Sequence, residues 1–195
     1  MQITDPGAFE DFLHGKKNSY MRTVIIKPNG EIVVPDDEEF EEVSRRLNTK
    51  PGNMTIYTKG YEQQDIDEFI KQLQQSGVTM LVDVREIPIS RKRGFSKTSL
   101  SEHLSRNGIK YVHLRELGCP TPIRRKLQET GDYDSCFQMH REYLRQNPLG
   151  LMKLKGLARH WTVCLMCFEK DPPRCHRSVI VDELLRAGGV EARHL

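Results

Sequence analysis

The sequence predicts an α/β protein, in which a Rossmann-like three-layer domain with a mainly parallel sheet follows a small α+β appendage containing a β-hairpin. Two observations predict the main domain. From residue 54 onward, short strand-like runs alternate with segments whose apolar residues recur at helical spacing. The strand-like runs are almost continuously apolar, as expected for parallel strands buried on both faces. A third observation, an Asn-Gly pair between two β-branched runs, predicts the hairpin.

Residues 1–50 form the predicted appendage. An apolar helical pattern occurs at residues 8–13, and the hairpin follows it. The two acidic residues at 36–37 are placed to cap a second short helix. Residues 48–53 contain Pro and Gly and are predicted to be a linker. We find no chemistry in this appendage and expect it to serve as an interaction surface, with homodimerisation as one use.

Residues 54–195 form the predicted α/β domain. Each of its strand-like runs precedes a helical pattern, and residues 121–158 are expected to be mostly helical. Residues 190–195 are suited to an edge strand. The other predicted strands are residues 54–58, 78–84, 109–114 and the apolar run that ends at Cys167. The helices between them are predicted from Asp65 to Gly77, from Thr98 to Arg106 and after Cys175.

Composition and charge limit the functional classes. With 195 residues, of which 37% are apolar, the chain is long enough for one substantial core and an appendage. The first 50 residues carry 7 Lys and Arg against 10 Asp and Glu, whereas the rest carries 23 against 17. The basic main domain favours an anionic ligand. No run is long enough to span a membrane, so we expect no membrane partner.

The five cysteines are predicted to be free thiols. The N-terminus has neither the basic region nor the apolar region of a secretory signal peptide. We therefore expect a cytoplasmic location, where cysteines serve as core, metal-binding or reactive residues rather than as disulfides.

One run near the end of the chain is the predicted site. Residues 161–169 are mostly apolar and suit a buried strand, which the Asp-Pro-Pro at 171–173 must end. Helical spacing begins close to residues 175–177. Because ligands of open α/β sheets bind at the carboxyl ends of strands, this strand, loop and helix predict a site.

Cys175 has two alternative roles in that site. Its position near a helix N-terminus, beside His176 and Arg177, favours a thiolate that could act as a nucleophile and be resolved by Cys167. The alternative is that these residues end the loop and bind an anion through backbone N–H groups and Arg177. Glu169 follows the strand and is a candidate for proton transfer.

The cysteine spacing also suggests a metal site, which we rank below the thiol chemistry. Residues three apart on a strand face opposite sides, so Cys164 and Cys167 are not expected to share a metal ion. Cys164 is predicted to be a core thiol. Cys167, Cys175 and His176, with or without Glu169, have the residue types of a zinc site. We assign no metal ligand, and the sequence contains no cofactor motif.

Asp83 and Arg85 end another predicted strand and share one of its faces. Asp83 could act as a general base or orient an arginine, and Arg85 could bind a carboxylate or phosphate. The alternative is a structural ion pair that ties the following loop to the sheet.

The loop after Arg85 is basic, with three consecutive cations at residues 91–93. This composition suits the phosphates of a nucleotide or nucleic acid, and Phe95 is available to stack on a base. The alternative is a solvated loop with Phe95 in the core.

Four patches of the chain agree in order and spacing with one family. They are Thr58–Glu62, Leu81–Arg85 with the Pro88–Ser96 loop, Gly108–Tyr111 with Glu116–Gly118, and Cys167–Glu169 with Cys175–Arg177. On these residues the chain resembles the bacterial and archaeal family called domain of unknown function 488, over about residues 54–190. The resemblance implies a compact α/β domain in which the patches converge, and no established reaction. Lys59 departs from the apolar residue more usual in the family and adds a cation beside the predicted site.

Together, these observations predict a protein that binds a phosphate-bearing ligand, a nucleotide or nucleic acid, at the strand ends. We expect an enzyme of unspecified reaction with Cys175, Asp83 and Glu169 as catalytic candidates. The alternative is a non-catalytic module that binds an anion or nucleic acid. The predicted ligand-binding residues are Lys59, Gly60, Tyr61, Arg85, Ser90, Arg91, Phe95, Cys167, His176 and Arg177.

Overall fold

The structure is a computed structural model that describes Met54–Leu195 throughout and, before them, the backbone of two short strands. These are β1 (Ile25–Ile26) and β2 (Ile32–Val33), which pair in antiparallel register. The pairing agrees with the predicted hairpin, whereas the predicted flanking helices and dimer surface lie outside the described residues. The chain divides into two units, Met1–Pro51 and Gly52–Leu195, and the second carries the candidate site.

A five-stranded, all-parallel sheet forms the centre of the second unit. Its strands are β3 (Met54–Gly60), β4 (Met80–Asp83), β5 (Lys110–His113), β6 (Val163–Cys167) and β7 (Val190–His194). Their order across the sheet is β5-β4-β6-β3-β7, so β6 is central and β7 is the predicted edge strand. The predicted α/β fold with a mainly parallel sheet is confirmed.

Six α-helices of the described residues cover the sheet, and the stretch from 121 to 158 contributes three of them. They are α1 (Ile66–Gln75), α2 (Lys97–Arg106), α3 (Thr121–Thr130), α4 (Tyr133–Gln146), α5 (Leu149–Ala158) and α6 (Arg177–Arg186). Short 3-10 turns at Arg115–Leu117 and Pro172–Arg174 precede α3 and α6. None of the described helices is long and apolar enough to cross a membrane.

The strand order determines which helices lie on which face. The chain moves from β3 through β4 to β5 in one direction across the sheet and returns through β6 to β7 in the other. Because parallel crossovers are right-handed, these two directions place their helices on opposite faces. Buried residues of α1 and α2 pack against one face of β6, and those of α4, α5 and α6 pack against the other. The first face receives Cys164 and Met166, and the second receives Val163, Leu165 and Cys167.

The start of α2 differs from the sequence prediction. Thr98 is predicted as the N-cap, but the helix begins at Lys97 with Ser96 at the N-cap position. The Ser96 hydroxyl makes no capping bond because it donates to the main-chain oxygen of Ser90 at 2.8 Å and accepts from the Ser90 amide at 3.1 Å. Ser96 therefore closes the basic loop instead of capping the helix.

Gly60, the last residue of β3, permits a close approach between two segments. A Cβ atom at this position would lie 1.8 Å from the main-chain oxygen of Glu169. Beyond the strands, the amide of Tyr61 donates to the oxygen of Cys167 at 3.2 Å, and that of Glu62 donates to the oxygen of Phe168 at 2.9 Å. The loop after β6 therefore packs directly on β3, where no side chain fits.

We predict that Gly60→Ala destabilises the protein by at least about 3 kcal/mol, because the added methyl group meets rigid backbone rather than a movable side chain. The matched control is Gly156→Ala in α5, where the added methyl group has no neighbour within 4 Å. This control should stabilise the protein by about 0.5–1 kcal/mol, as expected for an exposed helical glycine. Urea denaturation measures both changes, and equal effects of the two substitutions would contradict the close contact.

Candidate functional site

Three neighbouring strands, β4, β6 and β3, end side by side at one edge of the sheet. The connections that leave the adjacent strands β4 and β6 run in opposite directions across the sheet, and such switch points form the ligand crevices of open α/β sheets. The loops that leave these three strands carry the predicted site residues. The topology therefore brings the predicted patches to one edge of the sheet. Which of the predicted residues can act there depends on the contacts that each side chain makes.

Cys167, Glu169, Cys175 and His176 meet at this edge and form the thiol cluster. Cys167 ends β6, and the Pro172–Arg174 turn returns the chain to Cys175 and to the start of α6. Both thiols contact Glu169 Oε2, which lies 3.0 Å from Cys167 Sγ and 3.2 Å from Cys175 Sγ. His176 Nδ1 lies 3.5 Å and 4.0 Å from the same sulfur atoms. All four donor atoms lie within 4.8 Å of one another.

The orientation of His176 is set by its other ring nitrogen. Nε2 lies 2.9 Å from the main-chain oxygen of Val84, which can only accept, so Nε2 carries a proton and donates it to this bond. Nδ1 is thereby directed at the two sulfur atoms. Burial lowers the pKa of His176, but the contact with Cys175, the bond to the Val84 carbonyl and the charge of Glu169 together raise it. His176 therefore ties the end of β4 to the loop after β6.

Cys175 is almost fully buried and lies against a cation. Arg177 Nε donates to Cys175 Sγ at 3.1 Å, and Arg177 Nη2 donates to the main-chain oxygen of Glu169 at 2.6 Å. Burial disfavours a thiolate, but hydrogen bonds from Cys167 and His176, together with the nearby positive charges, hold the pKa of Cys175 well below its usual value. Burial and the neighbouring Cys175 raise the pKa of Cys167 and of Glu169. Without a bound ion, the cluster thus favours a single thiolate at Cys175.

Cys164 lies on the opposite face of the same strand. It is fully buried among apolar residues of the α1 and α2 side, and burial raises its pKa to about 12. The prediction of a core thiol that cannot share a site with Cys167 is confirmed.

Asp83 and Arg85 form the structural ion pair that was the alternative to a catalytic pair. The carboxylate of Asp83 is fully buried and accepts three hydrogen bonds from Arg85, through its amide, Nε and Nη2, and a fourth from the Tyr111 hydroxyl. Arg85 Nη1 donates to the Tyr61 hydroxyl at 3.0 Å and to the oxygen of Phe95 at 2.9 Å. These contacts favour the structural alternative over a general base at Asp83 and a ligand contact at Arg85, because their polar atoms are paired with one another and with neighbouring residues.

Phe95 lies in the core, which corrects its assignment as a stacking residue. It is fully buried, stacks on Tyr61 at a centroid distance of 4.4 Å and meets Phe69 edge-on at 5.4 Å. A ring without exposed surface cannot receive a base. Tyr61 is itself only 3% exposed, so the two rings form a buried support beneath the site.

Lys59, the predicted cation beside the site, is buried as well. Its Nζ donates to Gln72 Oε1 and lies 5.7 Å from the centre of the Phe69 ring. Burial lowers the pKa of Lys59. The side chain therefore points toward α1, and neighbouring Gly60 serves the close packing described above.

The basic loop remains accessible. Arg91 and Arg93 are exposed, and in the part of the chain that the structure describes neither side chain forms a hydrogen bond or ion pair. Lys92 Nζ between them donates to the main-chain oxygen of Tyr61 at 3.0 Å, which fixes the loop beside β3. The Ser90 hydroxyl accepts from the Lys92 amide at 3.1 Å and so belongs to the loop's own structure. Arg91 therefore stays a predicted ligand contact, whereas Ser90 shapes the loop.

Two residues of this edge are missed by sequence reasoning. Phe168, between two cluster residues, is 45% exposed and meets Tyr61 edge-on at 5.4 Å. His140, from α4, is fully buried with its ring 5.4 Å from that of His176, and neither ring nitrogen has a well-formed hydrogen bond within the described residues. The only sequence signal for Phe168 is its place at the end of a buried run, and no local signal links His140 to β6, which begins at Val163.

We predict that His140 makes the stability of the protein fall in mild acid. Burial and the nearby His176 lower the pKa of His140 from 6.5 to about 3. Between these values the unfolded chain binds a proton that the folded chain does not, so the free energy of unfolding decreases as the pH falls. Between about pH 7 and about pH 4.5, the free energy of unfolding of the wild type should fall by about 2–3 kcal/mol more than that of His140→Leu.

Urea denaturation at the two pH values measures this difference between wild type and variant. His160→Leu, at an exposed histidine, is the matched control and should leave the pH dependence of stability as it is in the wild type. An identical loss of stability in wild type and His140→Leu would contradict the assignment.

The family comparison agrees with the resemblance that the sequence patches carry. The model of the family described as Domain of unknown function DUF488 matches residues 65–184, which include the basic loop and the thiol cluster but not β3 or β7. Comparisons with curated proteins and with solved structures give no match. Because the family model covers more than half of the 195 residues, the chain belongs to the DUF488 family.

Proposed function

We propose that the chain binds a phosphate-bearing ligand, a nucleotide or nucleic acid, at the carboxyl edge of the sheet, and that the thiol cluster acts on that ligand. The observation that carries the proposal is an exposed aromatic ring among exposed cations beside the cluster. Phe168 and Lys170 precede and follow Glu169 in the segment after β6. Arg91 and Arg93 flank Lys92, whose Nζ donates to the main-chain oxygen of Tyr61. We call these four exposed residues the rim.

The cations of the rim are suited to phosphate. Arg91 and Arg93 are solvent-exposed, and a guanidinium group offers a planar pair of donors that matches two phosphate oxygens. Their location at strand ends is also where α/β domains bind ligands. Exposed cations alone are common, so the adjoining aromatic ring is what makes a nucleotide the favoured ligand.

Phe168 takes the stacking role that the sequence assigned to Phe95. Its ring is 45% exposed, and its edge-on contact with the buried Tyr61 limits its movement. Stacking of a base on an aromatic ring contributes about 1–3 kcal/mol and tolerates any base. Because Phe168 precedes Glu169 in the chain, a base stacked on its ring would lie near the cluster.

Two of the three predicted catalytic residues belong to the cluster and support a reaction. Glu169, whose pKa is raised by burial, is suited to carry a proton. Cys175 is the preferred thiolate of the metal-free cluster, and its role as nucleophile stays a prediction. Asp83 takes no part in this proposal because Arg85 and Tyr111 occupy its carboxylate.

A non-catalytic binding module is the second candidate, and one observation favours it. Cys175 is only 1% exposed, so a ligand on the rim does not reach its sulfur atom without movement of the loop. Incubation of the protein with nucleoside mono-, di- and triphosphates and with short oligonucleotides, followed by chromatography, separates the two candidates. Turnover that is lost in Glu169→Gln supports an enzyme, whereas binding without turnover supports the module.

We predict that Phe168→Ala weakens binding of a fluorescein-labelled single-stranded oligonucleotide by about 1–3 kcal/mol, the value of one stacked base. Leu185→Ala is the matched control, because Leu185 is 44% exposed and lies near the far end of α6. Fluorescence anisotropy measures the dissociation constants, and mononucleotide competitors show whether a single nucleotide suffices. Equal affinities of wild type and Phe168→Ala would contradict stacking on this ring.

We predict that the double variant Arg91→Ala, Arg93→Ala reduces the salt dependence of binding. For single strands, each phosphate contact adds about 0.7 to the slope of log K against log salt, so the slope should fall by about 0.7–1.4. A matched variant, Lys71→Ala with Arg106→Ala, removes two exposed cations from α1 and from the C-terminus of α2. An equal loss of slope in both double variants would show only a general charge effect and would contradict the rim.

A further inference from the structure

We infer that the thiol cluster is a metal centre of the zinc class, with Cys167, Cys175, His176 and Glu169 as its four ligands. The inference goes beyond the proposed function, does not depend on ligand binding at the rim, and replaces the free-thiolate role of Cys175 with the role of a metal ligand. It rests on the positions of the four donor atoms, on the bond that orients His176, and on the balance of charge in a buried place.

The donor atoms are spaced like the corners of a small tetrahedron. In tetrahedral zinc sites the bonds to N, O and S are about 2.0–2.3 Å long, which separates neighbouring donor atoms by about 3.3–3.8 Å. The four separations between sulfur and the other donors are 3.0, 3.2, 3.5 and 4.0 Å. The other two separations, between the two sulfur atoms and between Glu169 Oε2 and His176 Nδ1, also lie within 4.8 Å, so small side-chain movements would bring all four donor atoms within bonding distance of one metal ion.

The orientation of His176 is that of a metal ligand. Its Nε2 donates to the main-chain oxygen of Val84 at 2.9 Å, and its Nδ1 faces the sulfur atoms. Metal-binding histidines characteristically donate their second ring N–H to a carbonyl or carboxylate, because this bond fixes the tautomer and the ring plane. The carbonyl of Val84 belongs to rigid main chain at the end of β4, so the lone pair of Nδ1 is held in place before any ion arrives.

Charge balance favours a divalent cation at the centre. Two thiolates and one carboxylate would place three negative charges where Cys167 is 5% and Cys175 1% exposed. Arg177 supplies one positive charge through its 3.1 Å bond from Nε to Cys175 Sγ, and a dication supplies the other two. Hydrogen bonds of this kind to ligand sulfur are the second layer of contacts that tunes metal sites.

The backbone of Glu169, the fourth ligand, is held in place by two contacts. The oxygen of Glu169 accepts from Arg177 Nη2 at 2.6 Å and packs over Gly60, so the position of its backbone is fixed on both sides. Its carboxylate oxygen already lies within 3.2 Å of both sulfur atoms. Glu169 is also less buried than either cysteine, which makes it the ligand that water or a bound molecule could replace.

The ligand set indicates which metal the site would select. Two thiolates, one imidazole and one carboxylate in a tetrahedral arrangement suit zinc, and they exclude calcium and magnesium, which take oxygen ligands. The rival arrangement fills the same contacts with protons. In that arrangement Cys175 is a free thiolate or thiol, and the cluster holds no ion.

Cobalt titration of the full-length protein decides between the two arrangements. The metal is removed with a chelator under reducing conditions, and Co²⁺ is added while the absorption spectrum is recorded. We expect binding of about one Co²⁺ per chain, with thiolate-to-cobalt charge transfer in the near ultraviolet and the intense visible bands of a tetrahedral site. Zn²⁺ should displace the cobalt.

Variants locate the ligands. Cys167→Ser, Cys175→Ser and His176→Ala should each weaken Zn²⁺ binding at least about 100-fold in competition with a chromophoric chelator, because each removes a direct ligand. Arg177→Gln should weaken it by about 10–100-fold without changing the stoichiometry, as expected for a residue that contacts a ligand. Cys164→Ala is the matched control from the opposite face of β6 and should bind zinc as the wild type does.

The wild-type titration keeps the inference open to refutation even where a variant fails to fold. Folded wild-type protein that binds no Co²⁺, or binds it without sulfur charge transfer, overturns the metal centre. Unchanged zinc binding in Cys175→Ser also overturns it. Oligonucleotide binding measured on the same metal-free sample reports separately on the rim, so failure of one proposal is distinguishable from failure of the other.

Discussion

The site depends on one compact contact, in which the main-chain oxygen of Glu169 packs over Gly60 and accepts a hydrogen bond from Arg177. Gly60 ends β3 and Arg177 begins α6, so this contact joins a strand, a loop and a helix. The buried guanidinium also donates to Cys175, and a buried charge needs such partners to be tolerated. The position of the loop and the chemistry of its thiols are therefore coupled through a single side chain.

The end of β4 forms the side of the site that faces the loop after β6. Asp83 holds the side chain and the amide of Arg85, and the intervening Val84 is thereby presented with its oxygen toward His176. The following carbonyl, that of Arg85, lies 2.8 Å from His113 Nε2. An ion pair that is unavailable for chemistry can still serve the site, since it fixes the backbone oxygen that orients the imidazole. Removing one partner of such a buried pair typically costs about 3–5 kcal/mol.

The sequence predicted the position of a side chain wherever the geometry of a strand or of proline applied. It did not predict contacts that depend on loop conformation or on tertiary packing. Alternation along a strand correctly separated Cys164 from Cys167, and the Asp-Pro-Pro run correctly ended β6 before the cysteine–histidine pair. The orientation of Phe95 could not be predicted, because a loop has no periodicity that assigns a side chain to core or solvent. His140 approaches the cluster through packing of α4, a contact that only the folded chain defines.

The strands outside the matched family segment bear on how the domain is divided. Residues 65–184 include β4, β5 and β6, whereas β3 and β7 come from the flanking residues and pair with each other along five positions. A fragment cut at the limits of the family match would leave β6 as an open edge, ready to pair with another chain. It would also lack Gly60 and Tyr61, on which the loop after β6 rests. The segment that the family model matches is thus smaller than the unit of folding.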